Sequence, residues 1–383
     1  MKRGRGAIGG CSSSELESKN EEEEEECGLW SLPNDLLLDC LSQVSRLDMV
    51  ALGMVSKRHR HVAKSRVIRA TRNRMGKLEP YLYVFMHMNP EDPSPRWFVL
   101  HPLQRRLKPV HSTFYPAPLA GSCFVTTYWG IYCIGGVMNG KPTSEVTLFH
   151  AIDHTVHRIV PMKMARSGAS ACVIDNKIYV FGGCWDDVAN SSNWVEVLDL
   201  EFGRSWEFLC VSTPKIPLNI QQNFVIDKLF CGVDEDGQIF YFAPQFTPPT
   251  FITKGIVEPN PENRNDWLLF EVLLSRGICG RLLWRWPGGN IWRQVKGLEE
   301  LLQQQHIIKV CGSSMETIAI FWEAGLPQQE GLLELWYADI SLKKYQVEEG
   351  LWEIWGSIQS SAPVLSYSSR SSPKLLYADD VSC

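Results

Sequence analysis

The sequence lacks a long apolar run. Nowhere do about 18 hydrophobic residues follow one another, so no helix able to cross a membrane is expected. Paired cysteines are missing too: the 12 Cys never form a CxxC, and the nearest two, Cys123 and Cys133, stand ten apart. Most lie inside apolar stretches such as IYCIGG (131–136) and SACVID (170–175), where a thiol serves as a small core hydrophobe. That spacing argues against a clustered zinc site and against a small disulfide scaffold. Also absent are a GxSxG elbow, a Walker loop, an HExxH helix and a GxGxxG following a strand. There is no excess of positive charge: the formal net charge is −5, which speaks against nucleic acid as the main partner. No apolar stretch follows Lys2, Arg3 and Arg5, so no secretory signal is read, and an intracellular protein, cytoplasmic or nuclear, is expected.

The charge that is present falls in blocks. Glu21 to Glu26 are unbroken acid, whereas Lys57 to Lys77 holds nine Lys and Arg and no Asp or Glu. Residues 1–28 are rich in Gly, Ser and Glu, cannot bury enough surface to offset their ordering entropy, and read as a disordered acidic tail. From 29 to 75 the pattern is helical: Leu37, Leu41 and Val44, then Leu47, Val50, Met54 and Val55, recur at three- and four-residue spacing. Pro33 suits a first helical turn and Asp35 its positive end. A third helix is expected from Ser56 through Arg72, and Gly76 and Pro80 end the region. Its basic run has no interleaved aromatics and reads as a solvated helix face.

From 80 to 378 short apolar or alternating runs take over, separated by Gly-, Pro-, Asn- and Asp-rich segments, with one candidate helix at Leu298–Gln305. GSCFVTTYWGIYCIGG (121–136) aligns without a gap on GASACVIDNKIYVFGG (168–183), sharing the leading glycine, an Ile-Tyr and the closing Gly-Gly. YLYVF (81–85) and QIFYF (238–242) echo the same strand at similar intervals. A period near 50 with about four strands each describes a propeller blade, and six blades fit the length best, with five or seven open.

The segment LWSLPNDLLLDCLSQVSRLDMVALGMVSKRHRHV (29–62) resembles the F-box family, through Leu32-Pro33, Asp35, the Leu36–Leu38 run, Leu41, Leu47 and VSKRHR at 55–60. His59 departs from the large aromatic usual there. The resemblance implies that Leu32, Pro33, Asp35, Leu36, Leu37, Leu41 and Leu47 meet a Skp-type adaptor, which hangs from a cullin scaffold. The pairs Gly135-Gly136 and Gly182-Gly183 resemble the kelch repeat, with Trp206 as the aromatic of the second copy and His157 in the comparable place of the first. The implied protein is an F-box helical module ahead of an all-β kelch propeller, serving as the substrate-recognition subunit of a ubiquitin ligase. It would have no catalytic residues, no cofactor and no metal.

Long loops on a rigid scaffold usually carry binding residues. In the second clear repeat these are Cys184–Asn193, Ser212–Gln221 and Val160–Ser167, against the short turns Asp175–Lys177 and Phe202–Arg204. Trp185, Asp186, Asp187 and Arg166 are therefore the expected contacts to a protein substrate, with Arg166 equally suited to bracing neighbouring blades. Two rivals stay open: a kelch-propeller metal-dependent enzyme, and a scaffold that no longer engages a ligase. Asp153 with His154 lies in an expected hairpin turn, and the Trp residues from 284 to 355 read as fillers between blades.

Overall fold

The computed structural model describes residues 30–382, apart from 89–94, 111–119, 185–189, 191, 212–215, 218, 257–266, 278–280, 290, 305–306, 315, 326–330 and 370–372. Two compact units part between Lys77 and Leu78.

The first unit is helical: α1 (Asn34–Ser42), α2 (Arg46–Val55), α3 (Lys57–Ala63) and α4 (Arg66–Arg74). Pro33 precedes α1 as its cap residue instead of occupying its first turn, and its carbonyl accepts from Leu37 N. The expected single helix over Ser56–Arg72 is two. Ser65 has extended backbone, and its hydroxyl accepts from Ile68 N at 3.2 Å, so a new helix begins there. Ser45 and Ser56 cap α2 and α3 in the same way. The break lets Ile68 join Leu37, Leu41 and Met49 in one small core. Arg72, also buried, donates to the carbonyls of Ser42, Val44 and Lys77, tying the far end of α4 to the end of α1.

The second unit is a six-bladed β-propeller of four-stranded antiparallel sheets. Blades 2 to 6 take their four strands in chain order, inside to outside. Their innermost strands are Cys123–Thr127, Ser170–Ile174, Gln222–Ile226, Leu268–Phe270 and Ile307–Gly312, and these neighbour one another in sequence round the ring. Blade 1 closes the ring. Its three outer strands (Pro80–His87, Arg96–Leu100, Leu107–Pro109) come from the start of the unit, while its innermost strand, Lys374–Ser382, comes from the end. Pro80 pairs with Ser382 and Tyr83 with Asp379. The sheet faces are apolar and pack blade on blade, as in the cluster of Ile178, Val180 and Trp206 of blade 3 with Tyr132, Ile134 and Val146 of blade 2.

The aligned repeats fall on the inner two strands of blades 2 and 3, and YLYVF is the second strand of blade 1. The other echo is displaced: QIFYF lies in the third strand of blade 4 (Gln238–Ala243), and the second is Leu229–Val233. Both are short, nearly continuous buried apolar runs, which periodicity alone does not tell apart. The candidate helix at 298–305 forms as α5 (Glu299–Gln304) between blades 5 and 6.

Blade 6 carries an unusual hairpin, Leu332–Glu348 paired with Leu351–Ser368. Its neighbour Thr317–Gly325 pairs only as far as Ser341, so residues 342–356 run on as a two-stranded extension. The extension leans on blade 5: Lys296 N donates to Ile354 O at 2.9 Å, Gly356 N to Lys296 O at 2.8 Å, and Ile354 enters the core around Val295 and Leu298.

Candidate interaction sites

The helical unit sorts its apolar residues into two sets. Leu37 and Leu41 of α1 are buried with Met49 and Ile68. They hold the module together and do not face a partner, which corrects their expected place in an adaptor site. Leu32 and Leu47 are half-buried, whereas Pro33, Asp35 and Leu36 are exposed, Leu36 by 53%. Three further apolar residues of the helical stripe on α2 are exposed as well: Val50 (60%), Met54 (77%) and Val55 (68%). A helix of ten residues in so small a unit can turn only one face to the core, and Met49 with Leu52 occupies it. His59, in place of the usual large aromatic, is buried edge-on against Trp30, with ring centroids 4.7 Å apart. Its Nδ1 is 2.8 Å from Ser56 Oγ, and the Arg58 guanidinium lies over the Trp30 ring.

At the end of the propeller where second strands lead to third, the double glycines are decisive. Gly135, Gly136, Gly182 and Gly183 all have positive φ (64°, 110°, 64° and 67°). A Cβ on Gly135 would stand 2.4 Å from Arg166 O, and one on Gly183 2.6 Å from Ala169 N. The strand ends thus pass directly under the segment entering blade 3, and only glycine allows that approach.

Arg166 belongs to this segment but is not offered to a partner. Its side chain has no exposure, nor has that of Glu196, whose Oε1 lies 3.0 Å from its guanidinium. The remaining donors go to Gly182 O (2.7 Å), Trp194 O (3.1 Å) and Asn193 O (2.6 Å). Glu196 also accepts from the backbone N–H groups of Lys163 and Met164. Arg166 therefore clamps the loop between the second and third strands of blade 3. This corrects its expected role as a substrate contact, because a side chain spent on buried carbonyls has no donor left for another protein. Trp185, Asp186 and Asp187 lie outside the described residues. Among those described, the corresponding loop of blade 2 stands up as its own hairpin, Val137–Met138 with Lys141–Pro142, and exposes Met138.

The propeller axis holds a cavity of about 440 Å³ bordered by the innermost strands, with Ser122, Thr126, Ser170, Asn223, Lys309 and Asp379 on its wall. Beside it, burial and then the charge of Asp379 push the Asp380 carboxyl up to about 6. Burial raises Asp379 too, although Tyr377 donates to it at 3.0 Å. Asp153 and His154 sit in a hairpin turn as expected: His154 has φ 58°, and its Nε2 is 3.1 Å from Tyr83 Oη, a brace between blades 1 and 2. Among the described residues no three His, Cys, Asp or Glu side chains converge as metal ligands. Of the late tryptophans, Trp284 and Trp322 are buried fillers, while Trp286 and Trp355 are exposed.

Short helices with an unburied apolar face, followed by a six-bladed ring in which blades 2 and 3 turn on paired glycines, define a two-part protein of the F-box and kelch kinds. Family comparison agrees. The F-box domain matches residues 29–70, and the FKB95, Kelch-repeats domain matches 92–365. Three F-box/kelch-repeat proteins of Arabidopsis thaliana align along most of their length. One, described as putative, is 30% identical over 345 residues, covering 90% of this chain and 85% of its own. A second is 33% identical over 367 residues (86% and 89%), and a third 28% over 378 (90% and 88%). The chain belongs to the F-box/kelch-repeat family.

Proposed function

We propose that the protein is the substrate-recognition subunit of a Skp–cullin–F-box ubiquitin ligase. The helical unit docks on a Skp-type adaptor, and the propeller holds a target protein for ubiquitination by other subunits. It contributes no catalytic residue and works inside the cell, where that machinery resides. The observation that carries this reading is the exposed apolar set Leu36, Val50, Met54 and Val55 on a unit of F-box type. A module of roughly 45 residues has little core to spare, and leaving such side chains in water is justified by a partner that covers them. Leu32 and Pro33 belong to the same docking face. The target is assigned to the propeller end that carries the blade 2 hairpin and the loop clamped by Arg166. There, rigid blades carry long loops, and Arg166 holds the two ends of the blade 3 loop at Gly182 and Asn193–Trp194.

The test is adaptor capture by full-length variants. Burying one Leu or Met side chain is worth about 1.5–3 kcal/mol, so Leu36→Asp with Met54→Asp, or Leu32→Ala with Pro33→Ala, should cost at least about tenfold in affinity. The propeller should melt unchanged. Undiminished capture of the adaptor by both double variants would sink the assignment. Affinity purification with the proteasome inhibited then identifies the target.

A further inference from the structure

The break between α3 and α4 builds a surface that a continuous helix would not have. Turning the chain at Lys64–Ser65 folds Arg66 back beside α3, and Lys57, Arg60, His61, Lys64, Ser65 and Arg66 line a cleft of about 510 Å³. The four Lys and Arg are exposed, and the chain supplies no Asp or Glu anywhere from Lys57 to Lys77. Exposed charge of one sign gathered on one cleft attracts an anion. The same chain holds an unbroken acidic block, Glu21 to Glu26. The block is tethered close by. Trp30 is fixed on α3, its ring under the Arg58 guanidinium at 4.2 Å and against His59. Glu26 is four residues upstream of Trp30 and Glu21 nine, so they reach at most roughly 14 and 32 Å from it. The α3 side of the cleft, Lys57–Ala63, spans about 10 Å of helix axis.

We propose that the basic cleft between α3 and α4 is a docking site for an acidic peptide, and that its occupant is this chain's own Glu21–Glu26 segment. Charge complementarity selects an anion, and the short tether selects this one, because a tether of a few residues holds its anion at millimolar effective concentration. The inference is independent of the ligase reading, since neither the adaptor face nor the propeller enters it.

Two measurements on the full chain decide it. Carbodiimide coupling, which joins a carboxylate directly to an amine without a spacer and so favours pairs held in contact, should link Lys57 or Lys64 to the 21–26 block within one molecule. The yield should be unchanged on dilution and should fall severalfold as salt is raised to about 1 M, where the screening length shrinks to about 3 Å. Separately, a hexaglutamate peptide should bind the chain with Glu21–Glu26 all changed to Gln about tenfold or more tighter than the parent, because the tethered competitor is gone. Coupling of other lysines but never of these two would overturn the proposal. So would a linkage that appears only between molecules, which makes a second copy the occupant, or equal peptide affinity for both chains.

Discussion

Replacing Arg166 by Met tests the clamp in blade 3. The change keeps most of the apolar stem and removes the guanidinium. It leaves Glu196, which has no exposure, with two backbone donors and no counter-charge. The carbonyls of Gly182, Asn193 and Trp194 lose a donor as well. Stripping one partner from such a buried pair costs about 3–5 kcal/mol. At about 2–4 °C per kcal/mol for a large domain, the melting temperature should fall by roughly 6–20 °C. Thermal unfolding of the full chain, followed by far-UV circular dichroism, reads this out directly. Arg166→Met with Glu196→Met removes both charges, and the pair should be less destabilised than the sum of the single changes. Adaptor capture should be untouched, since it belongs to the other unit. A melting temperature within a degree or two of the parent, with target capture lost, would refute the clamp and restore Arg166 as a contact residue. Strict additivity in the double variant would refute the ion pair as its basis.

Gly135→Val and Gly183→Val should each impair folding by more than the ~1–3 kcal/mol of a strained φ, because a Cβ would also collide with Arg166 O or Ala169 N; normal yield and melting of both would show the turns to be tolerant. Asp380 is raised to about 6, so the folded chain binds its proton more tightly than the unfolded chain does. Its contribution is complete below the ordinary carboxylate pKa and is lost as pH climbs through about 6, so Asp380→Asn should be relatively more stable at pH 7.5 than at pH 4 when compared with the parent; parallel melting curves across pH would count against it. Native alkylation should label Cys40 and Cys210 before the other described thiols, since those two are exposed while burial pushes Cys133 up to about 11 and Cys231 up to about 12; early labelling of Cys133 or Cys231 in mass spectra would contradict that order.

Periodicity and spacing alone determined much of this protein. The three- and four-residue rhythm from Leu37 to Val55 means helix whatever surrounds it, and the doubled glycines at a blade-length interval mean a repeated strand end needing positive φ. Both are local properties, carried by backbone sterics and side-chain period. What a local pattern leaves undecided is direction. Leu36 and Leu37 are neighbours of the same type, yet one is exposed and the other lies in the core, because the helix turns about 100° per residue and only the arrival of Ile68 from α4 selects the inner face. Arg166 was equally suited to a contact or a brace until Glu196, thirty residues away, was folded onto it. QIFYF could be a second or a third strand because both are short, nearly continuous buried runs, and only pairing with Leu229–Val233 places it. The split of the basic helix at Ser65 likewise depended on a cap and a core position together. Composition and spacing decide which elements form; only packing between residues far apart in the chain decides which side of each element is left for a partner.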